Sequence, residues 1–263
     1  MRDVLLLASI TDADTDAAGR CAVCGSHGGL VAASIAARAG LASVVLNDAG
    51  IGRDQAGIAG VRALGQVGIA AVAADAMTCR IGDAEDMVAR GRISYANEPA
   101  VRLGVVAGST VSEAARLLQS ASLGGVLPAE SETRQDRQID GLGGLLLLAD
   151  SASLVTPDDA GRIIVTGSHG GLVGGDPTRA LKARAAFAVF NDAGIGIDRA
   201  GLGRLPALEA QGIPAATVSH WTARIGDAAS ALETGILSCI NGPAAERGAE
   251  VGRPLADWSW WRS

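Results

Sequence analysis

The sequence predicts an α/β protein made of two tandem homologous βαβ-type halves, each with a mainly parallel sheet, packed as a pseudo-two-fold dimer. The first observation behind this is a repeat. Gly25-Ser26-His27-Gly28-Gly29-Leu30-Val31 returns letter for letter as Gly167-Ser168-His169-Gly170-Gly171-Leu172-Val173. Each copy is followed by Asn-Asp-Ala-Gly-Ile-Gly (Asn47 to Gly52, Asn191 to Gly196) and then by Arg-Ile-Gly-Asp-Ala (Arg80 to Ala84, Arg224 to Ala228). The second observation is alternation. Short apolar runs give way to helix-compatible stretches at βαβ spacing, which gathers the polar loops at the carboxyl ends of the strands, where open α/β sheets bind ligands.

In chain order, Asp3 to Ser9 reads as a strand, Thr11 to Gly19 as a turn and Arg20 to Gly25 as the next strand. Leu145 to Asp150, the Thr156 to Gly161 turn and Arg162 to Gly167 repeat the pattern. Helices are expected over Leu30 to Ala39 and Pro177 to Ala186, the latter opened by Asp176 as cap and Pro177 at the first position. Buried strands follow at Ala42 to Leu46 and Ala186 to Phe190. Helices at Gln55 to Val67 and Arg199 to Gln211 come next, then strands at Ile69 to Ala73 and Ile213 to Val218.

The register is checked by subtraction: 169 − 27 is 142, whereas 191 − 47, 224 − 80 and 241 − 97 all give 144, a two-residue insertion after the first motif. Residues 98 to 143 find no counterpart in this alignment. There Val101 to Ala107 reads as an extra strand, Thr110 caps a helix running to about Ser122, and Ala129 to Asp140 is a charged connector. The expected divisions are a first half over 1–128, the connector over 129–143 and a second half over 144–263, with Trp258, Trp260 and Trp261 in the tail anchoring it or meeting another subunit.

Composition narrows the partners. The formal charge is −6 with acidic and basic residues interspersed, so no basic stripe exists for nucleic acid. No apolar run approaches the roughly 20 residues that span a bilayer, and the apolar start after Met1-Arg2-Asp3 is too short for a signal-peptide core. A cytosolic protein without membrane contact, assembling as a homo-oligomer, is expected. Cys21 and Cys24 lie on one strand and point to opposite faces, so they read as core, and Cys239 reads the same way.

Three loops of each copy carry the candidate chemistry. A glycine pair between strand and helix lets the N–H groups of Gly28, Gly29, Gly170 and Gly171 converge on an anion. Ser26 and Ser168 add hydroxyls. His27 and His169, two of the chain's three histidines, bring imidazoles to the same rim unless they merely cap the turn. Asp48 and Asp192, beside Asn47 and Asn191, either orient those imidazoles or form Asx turns. Arg80 and Arg224 offer forks to a carboxylate or pair with a neighbouring aspartate. Where the copies differ, Cys79 beside Arg80 is a candidate nucleophile of lowered pKa, while His220 with Trp221 could instead make the second site the working one, His220 binding substrate.

Neither a phosphate-binding P-loop nor a dinucleotide fingerprint, Gly-x-Ser-x-Gly or His-Glu-x-x-His is present, and neither a cofactor nor a metal is expected. The parts fit an enzyme acting on a small carboxylate- or amide-bearing metabolite by hydrolysis of a carbon–nitrogen bond, cyclic amides included. Isomerisation or racemisation by histidine-mediated proton transfer, and a non-catalytic binding protein for an anionic ligand, are the alternatives.

Overall fold

The computed structural model describes residues 4–138 and 145–259. Eleven strands among these residues form two sheets. The first holds β1 (Leu5–Leu7), β2 (Cys21–His27), β3 (Ser43–Asn47), β4 (Ala70–Ala74) and β5 (Ile93–Ala96) in sequential order, the first four parallel and β5 antiparallel to β4. The second runs from β6 (Arg134–Gln138) through β7 (Leu145–Ala149), β8 (Ile163–His169), β9 (Phe187–Asn191) and β10 (Ala215–Val218) to β11 (Leu237–Ile240), parallel from β7 to β10 and antiparallel at both edges.

Both faces of each sheet are covered, so the central strands are apolar throughout rather than alternating. Helices α1 (Leu30–Arg38) and α2 (Ala59–Gln66) pack on the face of the first sheet that carries Cys24, Val44 and Ala71. Helices α3 (Ala84–Arg90), α4 (Glu98–Arg102) and α5 (Val111–Leu118) pack on the face that carries Cys21, Val45 and Val72. The two cysteines of the Cys-x-x-Cys therefore end in different layers, as strand geometry requires. On the second sheet α6 (Arg204–Glu209) covers one face. The other meets α7 (Ala228–Thr234), α8 (Gly242–Glu246) and Trp258, whose ring stands edge-on to Phe187 at 6.1 Å. Trp260 and Trp261 lie outside the described residues.

Three elements differ from expectation. Val101 to Ala107 is not a strand: Asn97 accepts a hydrogen bond from the Ala100 N–H and Pro99 stands in the first turn, so a cap and a proline start α4 despite the apolar run. The helix expected over Pro177 to Ala186 is replaced by a single 3₁₀ turn at Pro177–Arg179, preceded by another at Val173–Gly175 where Gly174 and Gly175 take φ of +64° and +68° and keep a helix from running on from the heptapeptide. The charged connector contains β6, an exposed polar edge strand.

Two sets of contacts recur 144 residues apart. The Asn97 side-chain amide donates to the Val61 and Ile69 carbonyls and that of Asn241 to Leu205 and Ile213. The bridge between Arg92 and Thr110 matches the one between Ile236 and Pro254.

Strand β6 is fastened by charge. Arg134 grips Asp159 with two hydrogen bonds of 2.9 and 2.7 Å, Arg162 adds a third at 3.3 Å, and Asp159 is 2% exposed. The guanidinium of Arg134 holds the Asp159 carboxyl well below the usual carboxylate range. Asp159→Ala strands two guanidiniums and is expected to cost about 2–4 kcal/mol in urea unfolding at pH 7. Because the folded pKa is depressed, that difference between the proteins is lost as pH falls below the unfolded value near 4.

The loops of the two sheets meet each other. A Cβ on Gly50 would lie 2.8 Å from the Cα of Gly194, so only glycine permits this approach. Around it the Arg53 N–H donates to the His220 carbonyl at 2.7 Å and the Ile197 N–H to that of Ala76 at 2.9 Å, while Ala49, Ile81, Ala193 and Ile225 form a small apolar cluster.

Candidate active site

The strand–loop transitions bring both heptapeptides to one cavity of about 350 Å³. Its wall includes Ser26 and His27 from the end of β2, Ser168 and His169 from the end of β8, and Val31, Ala32 and Ile35 from α1. Thr178, Arg179 and Lys182 also line it, where the second copy has 3₁₀ turns in place of a helix. The missing helix leaves room here. The volume lies at the small end of the range for metabolite sites.

The two imidazoles differ in their hydrogen bonding. Nδ1 of His27 accepts from the Gly29 N–H at 3.2 Å, which places the ring proton on Nε2. Nδ1 of His169 is sealed from solvent, and the Gly171 amide lies beside it without closing a hydrogen bond. Burial lowers the His27 pKa from 6.5 to about 4. Burial also lowers His169 well below 6.5, helped by the positive charge of Arg204 and by His27. Both rings are neutral at pH 7.

The histidines consequently make the fold acid-sensitive. Between about pH 6.5 and pH 4 the unfolded chain binds protons that the folded chain refuses, so stability falls as pH falls through that window. A loss on the order of 1–3 kcal/mol is expected from His27, and the same melting series on His27→Gln should lose that part of its slope.

Ser26 and Ser168 are held alike: each Oγ accepts a backbone N–H, from Ile10 at 2.9 Å and from Ala152 at 2.8 Å. Neither hydroxyl bonds an imidazole, so both stand as donors toward the cavity rather than as activated nucleophiles.

The remaining sequence candidates do not line this cavity. The Gly28 and Gly170 N–H groups donate to the carbonyls of Asn47 and Asn191, and that of Gly29 to His27, so these amides are already spent. Glycine is needed for packing instead: a Cβ would meet the Gly57 carbonyl oxygen 2.6 Å from Gly28 and that of Gly201 2.5 Å from Gly170, while at Gly29 and Gly171 it would meet the His27 and His169 rings at 2.7 and 3.0 Å. Asn47, Asp48, Asn191 and Asp192 form Asx turns, accepting from Ala49, Gly50, Ala193 and Gly194. They hold a loop in which Ala49, Ile51, Ala193 and Ile195 all take positive φ, a strained conformation for these residues.

Asp192 does orient an imidazole, but it is that of His220, at 2.8 Å from Nδ1. Asp48 accepts instead from the Ala76 N–H at 3.0 Å.

Cys79 and the two arginines also change role. Cys79 is fully buried, Asn47 Nδ2 donates to its Sγ at 3.7 Å, and burial pushes its thiol up to about 12, the opposite of an activated nucleophile. Arg80 reaches Asp198 at 2.9 Å, and Arg224 pairs with Asp227 at 2.8 Å and Asp54 at 3.1 Å, ion pairs that include two links between the loops of the two sheets. These side chains are 48% and 43% exposed, so Arg80→Ala and Arg224→Ala are each expected to cost less than about 1 kcal/mol, shrinking further in high salt. Thermal melts at low and high ionic strength check this.

Sequence reasoning missed Arg204, which lines the cavity at 4% exposure and stacks over Phe190 at 5.1 Å. It stands where the first copy has Gly60, so the repeat itself drew attention away from it. Glu132 was also missed; it lines the cavity half-buried, and burial raises its carboxyl pKa.

Among the described residues no cluster of His, Cys, Asp and Glu is placed to hold a metal ion, and no helix is long and apolar enough to cross a membrane. No protein-family model, curated protein or solved structure matches the chain.

Proposed function

We propose that the chain is an enzyme that works without a cofactor, hydrolysing a carbon–nitrogen bond, amide or cyclic amide, in a small carboxylate-bearing metabolite. Its cavity would lie between two copies of one ancestral unit related by a pseudo-two-fold axis. The observation that carries this reading is the convergence of His27 and His169, 142 residues apart in sequence, on a single cavity.

The chemistry follows from the two tautomers. His169, whose Nδ1 is tied to no partner, can carry its proton there and present the Nε2 lone pair as general base. It removes a proton from water as the water oxygen attacks the carbonyl carbon. The carbon–nitrogen bond then breaks and the proton passes from Nε2 to the departing nitrogen, so one water is consumed and the imidazole ends neutral. His27, with its proton on Nε2, donates to the developing oxyanion, and the Ser26 and Ser168 hydroxyls add donors at the same wall.

Two-base isomerisation needs one ring to rest in the charged form, which burial of both opposes, whereas hydrolysis charges His169 only while the proton is in transit. The same neutrality predicts that the acid limb of kcat/KM lies well below pH 6.5.

Incubation of the protein with a panel of small amides and lactams bearing a carboxylate, in ¹⁸O-labelled water, separates the readings by mass. Hydrolysis gives a product that has gained one labelled water. Deuterium uptake from heavy water, with no net mass change in ordinary water, identifies an isomerase instead. Turnover of nothing, with a ligand retained, leaves a binding protein.

A further inference from the structure

The cavity described above has a polarity that its two histidines do not explain. Arg204 enters it from the start of α6 as a nearly buried guanidinium, and no carboxylate pairs with it among the described residues. Its Nε donates to the Gly171 carbonyl at 3.0 Å, and Nη1 donates to the carbonyls of Ala180 and Arg179. Those three bonds hold the plane of the fork, and Phe190 backs it. Nη2 has no hydrogen-bond partner among the described residues and is not sealed, so its two N–H groups face open cavity. A buried cation of this kind costs free energy unless something of opposite charge comes to it.

The neighbouring charges point the same way. Arg179 and Lys182, the chain's one lysine, line the same wall and make it positive. Of the acids in the lining, Asp150 is occupied by Thr133 and by the Ala228 N–H, and Glu132 is placed beside Ser153 rather than Arg204.

The first copy cannot supply an equivalent. The Gly60 N–H donates to Gly28 as that of Arg204 donates to Gly170, yet a Cβ at Gly60 would lie 2.1 Å from the Gly29 carbonyl oxygen. No side chain fits there, so the cavity has its anion anchor on one side only.

We propose that Arg204, through Nη2, binds the oxyanion group of the ligand and fixes its orientation, with the anionic end toward the Gly171–Ala180 segment and beside His169. This rests on the cavity being the substrate site, but it concerns binding and is tested without turnover. The probes are acetate and inorganic phosphate, titrated against chloride at constant ionic strength and read by thermal shift.

Saturable stabilisation of the unmodified protein is expected, and Arg204→Gln should raise the half-saturating concentration roughly 10–100-fold, the worth of a charge-assisted bond. Arg204→Lys, which keeps a point charge but not the fork, should fall between. Arg80→Ala, which removes a positive charge outside the cavity, should bind the probes normally. Acetate binding more tightly than phosphate identifies a carboxylate site, the reverse a phosphate site.

An unmodified protein indifferent to both anions, or Arg204→Gln with unchanged affinity, overturns the proposal. If Arg204→Gln does not fold, crystals of the unmodified protein soaked in each anion decide: the anion against Nη2 supports the anchor, and an anion elsewhere or none overturns it. Anion binding without turnover of any amide would leave the anchor standing while the hydrolytic reading fell. Turnover with unchanged KM in Arg204→Gln would do the reverse.

Discussion

Replacing His169 with Gln should lower kcat/KM on a cognate amide by about 10²–10⁴-fold, the contribution of a positioned general base, while circular dichroism and melting stay close to those of the unmodified protein. Gln matches the imidazole in polarity and nearly in length but cannot accept a proton. The ring is 93% buried in effect, at 7% exposure, so Ala would leave a void whose cost confuses the comparison. His27→Gln should do less, because its donated hydrogen bond from Nε2 is one that a Gln amide can partly reproduce. The ordering of the two variants is therefore as informative as their size. Equal losses would mean that the rings are interchangeable, as proton transfer between opposed bases requires. Unchanged turnover in both would remove the histidines from catalysis altogether.

The largest effect on stability is expected at Gly82. Its φ is +83° and a Cβ would lie 2.1 Å from the carbonyl oxygen of Leu172, within the second heptapeptide. The Gly82 carbonyl also accepts from the Gly174 N–H at 2.8 Å. In Gly82→Ala one of these backbones must move, so a loss above about 4 kcal/mol is expected in denaturant unfolding, with Val173 displaced from the cavity wall and turnover falling in step.

Gly68 provides the comparison, since its φ is +79° but nothing lies within 4 Å of the position a Cβ would take. Gly68→Ala isolates the backbone cost, about 1 kcal/mol. Similar losses at the two positions would show that the contact between the loops carries little of the stability.

Much of the fold was legible because its signals are local. The strands ending at His27, Asn47, His169 and Asn191 are short apolar runs buried on both faces, and burial of that kind writes itself into every residue. Element ends followed wherever a cap or a glycine competed with no other signal, as at Thr110, which forms a capping box with Glu113. Val101 to Ala107 was misread because apolar content resembles a strand, while Asn97 and Pro99 two to four residues earlier decide for a helix. After the second heptapeptide the cap is real, since Asp176 accepts from the Thr178 N–H and Pro177 opens a turn, but a cap marks where a helix can start and not how far it runs.

The candidate site divides differently. Asn47, Asp48 and Cys79 are residue types that serve equally as chemistry or as scaffold, and their neighbours in sequence are the same in both cases. Here Asx turns use the first two to hold strained backbone, and burial silences the third.

The sequence by itself determined that one set of loops is written twice, that each copy ends a parallel strand in Ser-His, and that those strands are core. Repetition and hydrophobic burial are properties of neighbouring residues, so they can be read along the chain. Only the tertiary structure decided which polar groups share space. It brought the two imidazoles to one cavity, turned Arg80 and Arg224 outward into ion pairs, and set Arg204 where a glycine stands in the other copy. The reason is that these outcomes depend on how closely two loops far apart in sequence can approach, and that is set by glycine contacts and by a missing helix across the gap rather than by anything beside the residues themselves.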